Sequence, residues 1–113
     1  MQRRWRIKLS AEVADWYRAL DPADRRIADA MLGRLSVFGP RLRMPHSRSL
    51  GRGLFELRFA TRSATPEQRI SHVFAPDLLA ITMLAIRQGP SDSRATAANA
   101  SLAEAIRTQK ARR

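Results

Sequence analysis

Residues 54–59 read Leu54-Phe55-Glu56-Leu57-Arg58-Phe59, and their alternation decides the fold. Phe55, Leu57 and Phe59 fall on one side of an extended chain, and Leu54, Glu56 and Arg58 on the other. Period two with one wholly apolar side is a strand lying on a core. After a polar turn at 61–67 the pattern resumes over Gln68–Phe74, where Ile70, His72 and Phe74 oppose Arg69, Ser71 and Val73. Ala75-Pro76-Asp77 reads as a tight turn. Residues 78–86, Leu-Leu-Ala-Ile-Thr-Met-Leu-Ala-Ile, are almost continuously apolar, as a central strand covered on both faces should be. Short turns join the three runs, so they form an antiparallel meander.

Upstream, residues 4–9 alternate as well, with Arg4, Arg6 and Lys8 opposing Trp5, Ile7 and Leu9. Ser10 is a helix N-cap, and Val13, Trp16, Tyr17 and Leu20 make one amphipathic stripe behind it. Asp21-Pro22-Ala23-Asp24 restarts the chain with a cap, a proline suited to the first helical position and an acid at the positive helix end. Ile27, Met31, Leu35 and Phe38 carry a second helix to Gly39-Pro40, which ends it. Almost no loop separates the helices, so a hairpin is expected with both stripes on one sheet. The expected class is α+β: an N-terminal strand, a two-helix hairpin, then the three-stranded meander, with the helices packed on one face of an antiparallel sheet. Residues 39–53 read as loop, broken by Gly39, Pro40, Pro45, Gly51 and Gly53. Residues 1–88 form the expected domain. Residues 89–113, rich in Ala, Ser and Asn and ending on basic residues, read as a weakly helical, loosely docked tail.

The 113 residues carry 21 Lys and Arg against 10 Asp and Glu, a net charge of +11 that favours a polyanionic partner. RNA is the expected polyanion. Only Lys8 and Lys110 are lysine; the rest are arginine, whose planar fork matches phosphate oxygens, although a GC-rich genome also favours arginine. With no cysteine, disulfides and cysteine metal sites are excluded. The basic start lacks the apolar run of a signal peptide, and no stretch approaches a membrane span, so a cytoplasmic protein is expected.

The chemistry points to strand arginines. Glu56 and Arg58 share one strand, Arg69 lies on the next, and Arg87 follows the last apolar run. Neighbouring strands stand ~4.8 Å apart, close enough for three guanidinium groups to converge. Half-buried arginines are costly unless paired, which suggests an anion site; the plainer reading pairs Arg58 with an acid and turns Arg69 to water. Arg41, Arg43, Arg48 and Arg52, with His46, make the 39–53 segment basic and suited to RNA, or simply solvated. His46 is placed to reach a phosphate, whereas His72 alternates with core residues.

Gly39-Pro40-Arg41-Leu42, Pro45-His46-Ser47-Arg48-Ser49-Leu50, Gly53-Leu54-Phe55-Glu56-Leu57-Arg58 and Gln68-Arg69-Ile70 together resemble the HigB-like branch of the RelE/ParE toxin superfamily, over roughly residues 3–86. The resemblance implies a RelE-like fold and the toxin of a type II toxin–antitoxin pair. Such toxins are endoribonucleases that need no metal or other cofactor and cut mRNA on the ribosome. A helix-turn-helix antitoxin encoded nearby neutralises them. By position, Arg58 matches the arginine of the family's Glu-Leu-Arg motif. Arg69 matches the arginine of its Tyr-Arg-Ile, with Gln68 in place of the aromatic. Arg87 stands where the family has basic residues after the last strand. Metal-free cleavage of RNA needs cations for the phosphorane charge and groups that move protons, for which His46, His72 and Glu56 are the candidates; the expected catalytic set is Arg58, Arg69, Arg87 and His46. Beyond Ile86 the family's Phe and Lys pair are missing, which motivates a second reading: a relative that binds RNA or an antitoxin and cuts nothing. Gyrase poisoning, as in the ParE branch, fits the Glu-Leu-Arg and Arg-Ile pattern less well.

Overall fold

The computed structural model describes residues 4–62 and 67–87, so the expected 89–113 tail lies outside the described residues. The elements run β1 (Arg6–Leu9), α1 (Ala11–Ala19), α2 (Pro22–Phe38), a 3-10 turn (Gly39–Arg41), β2 (Ser47–Gly51), β3 (Leu54–Ala60), β4 (Glu67–Ala75), a 3-10 turn (Pro76–Leu78) and β5 (Ala80–Ile86). The sheet order is β1-β5-β4-β3-β2. The α+β class, the helical hairpin and the β3-β4-β5 meander are as expected.

Local chemistry sets the helices. Ser10 accepts a hydrogen bond from the Val13 amide and starts α1; Asp21 accepts one from Asp24 and starts α2, with Pro22 in its first turn. Tyr17 donates to Asp29 across the hairpin at 2.7 Å, and the Arg25 guanidinium lies over the Tyr17 ring. Val13, Ala28, Met31 and Leu35 bury themselves against Leu57, Phe59, Ile70, Phe74, Ile81 and Met83 on the sheet. Phe38, read as the last residue of that stripe, is instead exposed. The helix stops there because Gly39 takes φ +52°, and any side chain at 39 would collide with the Trp5 indole. Trp5 is tied to the same helix end by its amide on the Ser36 carbonyl and by the Ser36 hydroxyl on its own carbonyl.

Two expectations are corrected. Residues 39–53 are not all loop: β2 pairs antiparallel with β3, Ser47 opposite Leu57 and Arg48 opposite Glu56. Gly51, Arg52 and Gly53 all have positive φ and reverse the chain into this hairpin. As an edge strand with exposed Arg48 and Ser49, β2 lacks the apolar alternation that would announce it. Nor is the sheet purely antiparallel, because β1 pairs parallel with β5, Arg6 opposite Ala80 through Leu9 opposite Met83. No sequence pattern encodes that pairing.

The sheet has two apolar faces. Opposite the helices, Leu54, Val73, Leu84 and Ala85 form a second buried cluster, which explains the continuous apolar run of β5. That same face continues toward the Glu67 end of β4 as a charged surface. Buried Asp24 supports the β3–β4 connection beside it by accepting the Arg62 amide at 2.8 Å.

Candidate anion site on the sheet face away from the helices

Register builds the site. Residues paired across strands point to the same side. Glu56 pairs with Ser71, Arg58 with Arg69, and Ala60 with Glu67, so all five non-alanine side chains project away from the helices. Arg87 joins this face just past β5. Its amide continues the ladder to the Arg69 carbonyl at 2.9 Å, while the preceding Ile86 amide is held by the Glu12 carboxylate of α1 at 2.7 Å.

Ion pairs knit the group together. Arg87 Nη1 donates to Glu56 Oε2 at 2.7 Å, and Arg58 Nε lies 3.8 Å from Glu56 Oε1. Arg58 Nη2 and Arg69 Nε both donate to Glu67 Oε1, at 2.7 and 3.1 Å. The hydrogen bond from Arg58, then that from Arg69, holds the Glu67 carboxyl below its usual range. Reciprocally, the bond to Glu67 raises Arg58. Exposure grades across the cluster: the Glu56 and Arg87 side chains are 2% and 7% exposed, Arg69 15%, Arg58 28% and Glu67 50%. Among the described residues, three guanidiniums against two carboxylates leave one net positive charge, with its more accessible side at Arg58.

A cleft of about 300 Å³ opens beside Arg58, lined by Met44, Pro45, His46, Phe59, Ala60 and Glu67 as well. His46 is held there by its own backbone, whose carbonyl accepts the Arg58 amide at 2.8 Å. Arg58, Arg69, Arg87 and His46 are therefore brought together. Of the basic segment, Arg48 shares their face through its pairing with Glu56. Arg41 and Arg43 are exposed on the approach to Met44, and Arg52 sits at the hairpin tip, six residues before Arg58 in the chain.

Glu67 was missed in the sequence because it falls at the end of a polar turn; its separation from Arg69, one period of two, is the signal that reveals it. Gln68 faces the helices, where its side-chain oxygen accepts the Trp16 indole N–H at 3.1 Å, so the departure from an aromatic has a structural use. Among the described residues no three His, Asp or Glu side chains form a metal-holding group, and no helix is long and apolar enough to cross a membrane.

His72 lies on the other side of the sheet, between Phe55 and Phe74, with no exposed surface. Nδ1 makes a long contact to the Ile70 carbonyl, 3.4 Å, and Nε2 has no partner among the described residues. Burial pushes the imidazole down from 6.5 to about 4. The unfolded chain thus takes up a proton that the folded one refuses. The contribution of neutral His72 is complete above about pH 6.5 and lost as pH falls toward about 4. The expected loss is about 3 kcal/mol. Urea midpoints measured across that window should fall less steeply in His72→Leu; equal slopes would show that the ring does not titrate against folding.

Residues 15–104 match the model of a family described as phage-derived protein, Gp49-like. No curated protein matches the chain. Among solved structures, a chain of the intact E. coli RelBE toxin–antitoxin complex superposes with TM-score 0.55 at 11% identity, covering 76% of this chain and 98% of that one. A mutant of the E. coli toxin RelE in the free state gives TM-score 0.58 at 10% identity, covering 80% and 88%. At these identities the likeness is one of fold.

Proposed function

The chain belongs to the phage-derived Gp49-like family and has the RelE fold, and from that premise we propose that it is the toxin of a type II toxin–antitoxin pair, cutting mRNA on the ribosome without a metal. The observation that carries this is the gathering of Arg58, Arg69 and Arg87 on one sheet face, with His46 in the adjoining cleft. The Glu-Leu-Arg and Arg-Ile segments place it, on our reading, in the HigB-like branch. Residues 1–88 are then the toxin domain, residues 89–113 a basic extension, and the cytoplasm its place of action. Its proposed protein partner is a helix-turn-helix antitoxin encoded nearby.

In this reading the ribose 2′-oxygen attacks the adjacent phosphorus and the 5′-oxygen of the next nucleotide leaves. Arg58 and Arg69 stabilise the charge gathering on the phosphoryl oxygens. Arg87 is tied to buried Glu56 and supports Arg58 from beneath. Glu56 is the wrong group for a base, being held by two cations, and His72 is on the wrong face. His46, an imidazole lining the cleft, takes the proton of the 2′-hydroxyl, and water protonates the departing 5′-oxygen. Arg41, Arg43 and Arg48 steer the strand, with Arg52 contributing only to the outer field. Inducing the chain without its neighbour should arrest bacterial growth and produce new mRNA 5′ ends. Normal growth with intact mRNA would sink the reading.

The internal pairing of the strand arginines favours one alternative, a relative that binds RNA or an antitoxin without cutting. It predicts salt-sensitive RNA binding with the RNA left whole.

A further inference from the structure

Arg58 and Arg69 are direct cross-strand partners. Their Cβ atoms therefore stand about 5 Å apart, where like charges repel. One oxygen resolves the conflict: Glu67 Oε1, 2.7 Å from Arg58 Nη2 and 3.1 Å from Arg69 Nε. A phosphate oxygen between two guanidinium forks uses the same donors at the same distances. Exposure separates the three groups. The arginine side chains are 28% and 15% exposed, whereas Glu67 is half exposed and forms the outer member. Rotating the carboxylate into water uncovers both cations without moving the strands. Glu56 is the opposite case, since it is enclosed and anchored by Arg87.

We propose that Glu67 is a built-in substitute for the RNA phosphate, filling the anion seat between Arg58 and Arg69 in the free protein and leaving it when a phosphodiester enters. The ligand is taken from the toxin reading; the seat rests on the salt bridges alone. Glu67 then sets affinity. A seat occupied about 90% of the time by its own carboxylate binds an external anion about 10-fold more weakly than an empty one.

The test is a titration of a fluorescein-labelled 2′-O-methyl RNA pentamer, uncleavable because its 2′-oxygen is blocked, against wild type, Glu67→Gln and Asp77→Asn. Asp77 is exposed just beyond the far end of β4, about 30 Å along the strand from Glu67, and supplies the same change in net charge. Glu67→Gln should bind about 10-fold more tightly, and Asp77→Asn should stay within about 2-fold of wild type. In an Arg69→Ala background the gain from Glu67→Gln should vanish. Equal tightening in both variants, or weaker binding by Glu67→Gln, overturns the proposal. Inorganic pyrophosphate gives an arm independent of RNA: it should raise the melting temperature of Glu67→Gln more than that of Asp77→Asn, and an equal rise overturns the seat. Retained pyrophosphate ordering without RNA binding would instead remove the RNA reading and leave the seat standing.

Discussion

Replacing Arg58 by alanine is expected to lower the rate of mRNA cleavage by about 100- to 1,000-fold, the usual cost of removing one preorganised donor from a developing oxyanion. Arg58 is the most accessible of the three strand arginines and the one that faces the cleft shared with His46. Its guanidinium is aimed by Glu67 and, from further off, by Glu56. The fold should survive, because a partly exposed ion pair contributes little to stability. A thermal melt close to wild type beside a collapsed cleavage rate in a ribosome-programmed assay is the expected pair of results. Arg58→Lys keeps the charge but loses the fork, so it should recover only part of the rate. Arg69→Ala should behave like Arg58→Ala. If both alanine variants cut mRNA and arrest growth at the wild-type level, the sheet arginines are not the site.

Glu56→Ala should do the reverse and fail through stability, by about 3–5 kcal/mol. Glu56 and Arg87 make a 2.7 Å pair whose side chains are only 2% and 7% exposed. Taking away the carboxylate removes the 2.7 Å acceptor of a buried guanidinium, with Arg58 losing its inner neighbour as well. Urea denaturation should show the loss as a lowered midpoint with little change in slope. Glu67→Ala, on the half-exposed acid of the same cluster, should barely move the midpoint. Removing both partners together, as Glu56→Leu with Arg87→Met, should cost less than Glu56→Ala alone, because no charge is left in the buried position. A Glu56→Ala midpoint equal to wild type would show that the inner pair does not hold the site up.

The two acids differ in depth, and depth is what alternation cannot report. Period two over Leu54–Phe59 and Gln68–Phe74 was enough to place Arg58 and Arg69 on the polar side of adjacent strands. It was also enough to set His72 apart, since that residue alternates with Ile70 and Phe74. Ser10, Asp21, Pro22 and Gly39 marked the helix boundaries through local chemistry that acts within a turn. The edge strand β2 stayed hidden because an exposed strand needs no apolar side, and its pairing is supplied by β3 and a glycine-flanked turn.

By itself, then, the sequence determined the helical hairpin, the meander and the side of the sheet on which the arginines stand, because caps, turns and alternation are short-range. The tertiary structure decided the register that sets Arg58 opposite Arg69, the parallel docking of β1, the arrival of His46 beside Arg58, and the division of labour between a buried Glu56 and an outward Glu67. Each of these depends on contacts between residues far apart in the chain, and on how much water is left around a charge once they have formed.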